Sequence, residues 1–225
     1  MLVTMPMQST FDLPFLLIPG QLAVDSAVCF VVSALVAITV NAEAQAFAAT
    51  FLGDTRPGDK GRHHFNAFLH IDLLGSLCFA LGGFGWPRQI VVDDSRFRHP
   101  RLYLILTRLA GPLGNFLMAN IASSIAWLFT TLKSDPRVFI MLMGVNLTVA
   151  VANLIPLPPL AAGSILAALG LPGGTSLQSN LQRVGPFAVV ALVAADRLSG
   201  WNLLSSEMAP LVRSLAEMLQ LQVNP

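Results

Sequence analysis

The sequence predicts an all-α integral membrane protein, a polytopic helix bundle joined by charged loops. Two observations predict it. Of the 225 residues, 54% are hydrophobic and only 11% are charged, with a mean hydropathy of +0.67. A soluble domain carries about 25% charged residues; so few charges leave lipid as the solvent for much of this chain. The charges are also segregated, with long uncharged runs separated by short polar stretches. A net charge of +1 gives no general attraction to nucleic acid. The first 20 residues lack a basic region and a small-residue cleavage pattern, so no secretory signal peptide is expected.

The elements follow in chain order. Residues 1–22 hold Pro14 and Pro19, which argue against one long helix, and read as an interfacial N-terminal segment. Residues 23–198 read as the membrane domain. In its first apolar run, Glu43 is the only charge between Asp25 and Asp54. A helix over about 23–52 would span a bilayer, because about 20 residues cover the hydrocarbon core. Residues 54–72 are polar, with short strands possible over 61–71. Residues 73–86 are apolar, rich in glycine and too short for an ordinary span, which fits a short or re-entrant segment packed against protein.

A second charged stretch covers 87–101, and Leu109 to Leu132 is then uncharged and long enough to cross. Lys133, Ser134, Asp135 and Pro136 form a turn. The next helix should end near Ile155, where Pro156, Pro158 and Pro159 follow. A short helix at 161–169, a Gly-rich loop at 170–175 and an apolar segment at 180–195 complete about four full crossings. The tail, 199–225, is amphipathic, with Leu204, Met208, Leu211, Leu215 and Met218 at spacings of three and four.

Charge asymmetry gives an orientation. The two long loops carry Arg56, Lys60 and Arg62, then Arg88, Arg96, Arg98 and Arg101, against Lys133 and Arg137 in the later turn. The positive-inside rule puts the long loops in the cytoplasm, which would be that of a prokaryotic inner membrane. Cys29 and Cys78 lie in apolar stretches and read as small buried hydrophobes.

Polar residues inside an apolar span are costly and face protein or a wet cavity. Asn41, Glu43 and Gln45 are such residues, and Asn41 and Gln45 share one helix face. Asn115 and Asn153 lie in later apolar runs. These five are the candidate cavity-lining residues, and the four amides are expected to form a hydrogen-bonded cluster or to touch a ligand. Arg108, near the start of a span, is expected to snorkel to the interface. His63, His64 and His70 could form a metal site, or His70 and Asp72 could make structural hydrogen bonds.

The order of motifs resembles the site-2 protease family of intramembrane zinc metalloproteases, in its small prokaryotic form. Asn41-Ala-Glu-Ala-Gln-Ala-Phe-Ala-Ala-Thr-Phe-Leu-Gly-Asp54 resembles that family's His-Glu-x-x-His segment and its continuation. Gly61-Arg62, His70-Ile-Asp72-Leu-Leu-Gly75, Gly83-Phe-Gly-Trp86, Ala110-Gly-Pro-Leu-Gly-Asn115 and Asn153-Leu-Ile-Pro-Leu-Pro-Pro-Leu160 resemble its later stretches, in the same order, over about residues 25–170. The resemblance implies a helix bundle of the site-2 protease core type.

It also implies two His ligands on one helix face, a Glu base between them and an Asp ligand after the proline-rich break. This chain departs from that pattern at each position. Asn41 and Gln45 stand at the His positions, Ala42 at the base, Ala161 at the Asp and Ala162 at the following Gly. Glu43, one residue on, is turned about 100° from Ala42. Gln89 and Val91 stand where the family often has prolines.

The expectation is therefore a chain that is not an enzyme and holds no cofactor, with no catalytic residue at Ala42 and no metal at Asn41, Gln45 and Ala161. It would bind or scaffold another membrane protein or transmembrane helix among membrane lipids, and no nucleic acid. The alternatives are a structural subunit of a larger membrane complex and an active membrane metallopeptidase with displaced ligands.

Overall fold

The computed structural model describes residues 24–56, 65–169, 174–200 and 203–221. The interfacial segment expected at 1–22, most of the Gly-rich loop at 170–175, and His63 and His64 lie outside the described residues. Within them the chain is helical and has no strand. The elements are α1 (Val24–Phe51), α2 (Ala67–His70), α3 (Leu73–Gly82), a 3-10 turn at Asp94–Arg96, α4 (Pro100–Thr131), α5 (Arg137–Ala152), α6 (Ala161–Ala168), α7 (Gly174–Ser199) and α8 (Leu203–Leu221).

Two helices, α1 and α4, are long and apolar enough to cross a membrane. The four crossings expected from the sequence are thus not all met by length. α5 has 16 residues, about 24 Å at 1.5 Å each, short of the roughly 30 Å core. Strands expected within 61–71 are replaced, over 67–70, by the helical turn α2, whose start is capped by Asn66 accepting the Phe68 amide. The apolar segment expected at 180–195 is the middle of the longer helix α7, which carries Pro186 inside it. α6 and α8 stand close to where the sequence puts them.

The packing pattern of α4 suits lipid. Leu102, Leu106, Leu109, Leu113, Leu117 and Ile121 are exposed, while Gly111, Asn115, Ala119, Ala122, Ser123 and Ala126 are buried. Large apolar side chains face outward and small ones inward, as in helices that meet through close backbone approach. α1, α4 and α5 form the central three-helix contact. A methyl group added at Gly114 would lie 2.8 Å from the Ala44 Cβ, so α1 and α4 touch at glycine distance.

The Gly-rich run folds as α3 and then an extended segment returning along it. A Cβ at Gly75 would meet the Trp86 carbonyl at 2.2 Å, and one at Gly85 the Gly75 carbonyl at 2.1 Å. Asp72 caps α3 by accepting the Gly75 amide at 2.9 Å and also accepts from Trp86 Nε1 at 3.1 Å. The proline-rich break after α5 is held the same way. Gly163 sits where a Cβ would be 2.0 Å from the Leu157 carbonyl carbon, and Gly185 of α7 where it would be 2.2 Å from the Pro158 oxygen. Cys78 is buried and Cys29 half-buried, both as free thiols.

Candidate functional site

The site is built where α1 and α4 meet beside the proline-rich break. Gly111 makes it possible: a Cβ there would lie 2.7 Å from Asn41 Oδ1 and 2.9 Å from Gln45 Nε2. Over that gap the amides form a chain. Gln45 Nε2 donates to Asn41 Oδ1 at 2.8 Å, Asn41 Nδ2 to Asn115 Oδ1 at 2.7 Å, and Asn115 Nδ2 to both Asn146 Oδ1 and the Ala37 carbonyl, each at 2.9 Å. Buried amides need such partners. Asn146 is a member that sequence reasoning passed over. Its signal was available: an Asn within the uncharged run from Val138, of the same kind as Asn115.

Arg108 joins the chain at its open end. Its guanidinium donates to Gln45 Oε1 at 3.0 Å and to the Ile90 carbonyl at 3.4 Å. Arg108, expected to snorkel to the interface, is half-buried and meets Gln45 where α4 packs on α1.

Asn41, Gln45, Arg108, Asn153 and Ala161 line one cavity, with Arg88 and Gln89 contributed by the segment after α3. Asn153 does not bond to the other amides. It donates to the Val149 carbonyl at 2.8 Å and accepts the Ala161 amide at 3.0 Å, fixing the start of α6. Asn115 lies behind the lining, and Glu43 is not part of it.

Glu43 belongs to a second centre. It is two residues from both Asn41 and Gln45, about 200° around the helix, and so points to the far side of α1. There Glu43 Oε1 lies 3.0 Å from His70 Nε2 and accepts the Phe65 amide at 3.1 Å, with both side chains buried. His70 is held in place by its own carbonyl, which accepts the Arg88 amide at 2.7 Å. The sequence showed Glu43 and His70 separately; only the fold pairs them.

Below α1 a third polar group secures the helix end. Asp54 accepts from Arg56 Nε at 2.8 Å and Nη2 at 2.9 Å, and from the Asp93 amide at 2.8 Å. The Arg56 hydrogen bond holds the Asp54 carboxyl down at about 2, against the desolvation that would raise it.

With this geometry in view, comparison with known proteins gives one informative relative. The chain is 26% identical over 201 residues, 84% of its length, to the "Putative zinc metalloprotease YwhC" of Bacillus subtilis (strain 168), covering 92% of that protein. No protein-family model matches the chain, and no solved structure matches it significantly. The relative supports a metalloprotease-like relationship. It corrects two expectations drawn from the sequence, that the chain is not an enzyme and that no cofactor belongs to it, because the relative's name points to a peptidase and to zinc.

The donors at the inherited positions do not fit zinc. Each carboxamide oxygen of Asn41, Gln45 and Asn115 already accepts a hydrogen bond, a guanidinium lies 3.0 Å from one of them, and Ala161 offers a methyl group. Among the described residues no group of three His, Cys, Asp or Glu side chains could hold a metal. Glu43 and His70 are donors of the right kind, but among the described residues they are two, and a catalytic zinc takes three protein ligands.

Proposed function

We propose that this chain is a membrane-embedded peptidase-type protein whose acid–base groups are displaced from Asn41, Ala42 and Gln45 to the Glu43–His70 pair. One observation supports the reading above the others: a buried carboxylate and imidazole in hydrogen-bond contact on the helix that carries the inherited positions. These are the groups that general acid–base catalysis uses. The likeness to a zinc metalloprotease supplies the reaction class, hydrolysis of a peptide bond. In this reading α1 and α4 cross a bacterial inner membrane within a multi-pass bundle of the site-2 protease type, with the Arg-rich loops in the cytoplasm.

The test is cleavage of a synthetic apolar helical peptide by the purified chain in mild detergent, with and without added zinc, read by mass spectrometry. Cleavage that disappears in Glu43→Gln supports the reading. A wild-type chain that leaves the peptide intact under both conditions rejects it.

A second reading is favoured by the cavity, which is lined by two guanidinium groups and four side-chain amides. It receives a segment of another membrane protein and retains it. Recovery of a defined membrane protein with the wild-type chain in mild detergent, reduced by changes at Arg108, tests this role.

A further inference from the structure

We propose that Arg108 seats a carboxylate presented by a peptide, either a free C-terminus or an acidic side chain. The inference deepens the second reading above and rests on it.

The cavity holds two guanidinium groups, Arg108 inside and Arg88 at its exposed rim, and its lining contains no Asp or Glu. Among the described residues neither arginine pairs with a carboxylate; Arg108 has only the neutral carbonyls of Gln45 and Ile90. A guanidinium carries five N–H donors, so most of those on Arg108 remain available. A cation within an apolar helix is expensive unless an anion or a wet cavity compensates it. The other polar side chains of the lining, Asn41, Gln45, Gln89 and Asn153, are neutral and cannot balance the charge.

Size and depth select the anion. The cavity volume is about 10 Å³, room for about one oxygen-sized group. A planar carboxylate can present one oxygen there and needs less clearance at the mouth than a tetrahedral phosphate. Gln45 lies six residues inside the end of α1, about 9 Å along the helix. A carboxylate oxygen there can accept a charge-assisted hydrogen bond from a guanidinium N–H.

The experiment uses the full chain in detergent micelles and three peptides of one apolar helical sequence, with binding measured by calorimetry. The first has a free C-terminus, the second is amidated, and the third is amidated but carries one Glu near that end. Tighter binding of the first or the third over the second, by about tenfold or more, is the expected result. Which of the two is favoured identifies the source of the carboxylate.

In Arg108→Gln the preference should vanish. Because that change could also prevent folding, the wild-type comparison of free with amidated peptide decides on its own. Equal binding of all three overturns the carboxylate site and leaves the binding reading standing. No binding of any peptide overturns that reading, and this proposal with it.

Discussion

Helix α1 carries two polar centres on opposite faces, and they solve burial in different ways. Toward α4 stand neutral amides in a chain of hydrogen bonds ending on a cation. Toward α2 stands a carboxylate against an imidazole. The first can spread its cost over several weak bonds, each worth about 0.6 kcal/mol in a membrane setting. The second concentrates it on two titratable groups in contact, and removing one of such a buried pair is strongly destabilising. The face with Asn41 and Gln45 meets amides and a guanidinium, and the opposite face sets Glu43 against His70.

The largest expected effect lies at the concentrated centre. Glu43→Leu removes the contacts that Glu43 Oε1 makes with buried His70 and with the Phe65 amide. It should lower stability by about 3–5 kcal/mol, read as the apparent unfolding midpoint in detergent. A double-mutant cycle with His70→Leu should recover part of that loss, because both polar groups are then gone. Additive losses in the cycle would show that the two residues do not act as a pair.

On the amide side, Asn115→Ala removes three hydrogen bonds, to Asn41, Asn146 and the Ala37 carbonyl. The expected cost is about 2–3 kcal/mol. Gly111→Ala attacks the same centre by volume, since its methyl group would fall within 3 Å of two amide atoms, and should cost about 1–3 kcal/mol. If Gly111→Ala matches wild type, the amide chain is not held against α4 as described.

Acid separates these centres from the helix-end cluster. Asp54 is held at about 2 by Arg56, below an unfolded value near 3.9. A depressed carboxylate contributes stability above the unfolded value and loses it as pH falls through the folded one. The loss should therefore come between about pH 4 and pH 2. It is worth about 1–2 kcal/mol, reduced because the cluster stands next to solvent. Asp54→Asn should flatten that step. The carboxamides of the amide chain do not titrate, so the cost of Asn115→Ala should be the same at pH 5 and pH 8.

How much of this was legible in the sequence depends on the range of the interaction. The helices α1 and α4 follow from uncharged runs, and the amide chain was half visible because Asn41 and Gln45 share a face and Asn115 is an isolated polar residue. Asn146 was equally isolated but belonged to no motif. The Glu43–His70 pair was not legible, because 27 residues and a reversal of the chain separate the partners. The Arg108–Gln45 contact was hidden for a related reason, since only the packing of α4 on α1 brings the two together.

The smallest expected effect is the one that most sharpens the contrast between the two faces. Gln45→Glu places a carboxylate where the Gln45 oxygen now lies, 3.0 Å from the Arg108 guanidinium. The substitution keeps the shape and supplies the counter-ion, but it replaces the Gln45 Nε2 donor that now reaches Asn41 Oδ1. The gain from a charged pair and the loss of one amide bond should nearly cancel, leaving stability within about 1 kcal/mol of wild type. Its effect on binding should be far larger, since an internal carboxylate competes for the cation that an incoming one would use. A variant that keeps wild-type stability yet no longer distinguishes free from amidated peptide would place the amide face in ligand capture, separate from any chemistry at Glu43.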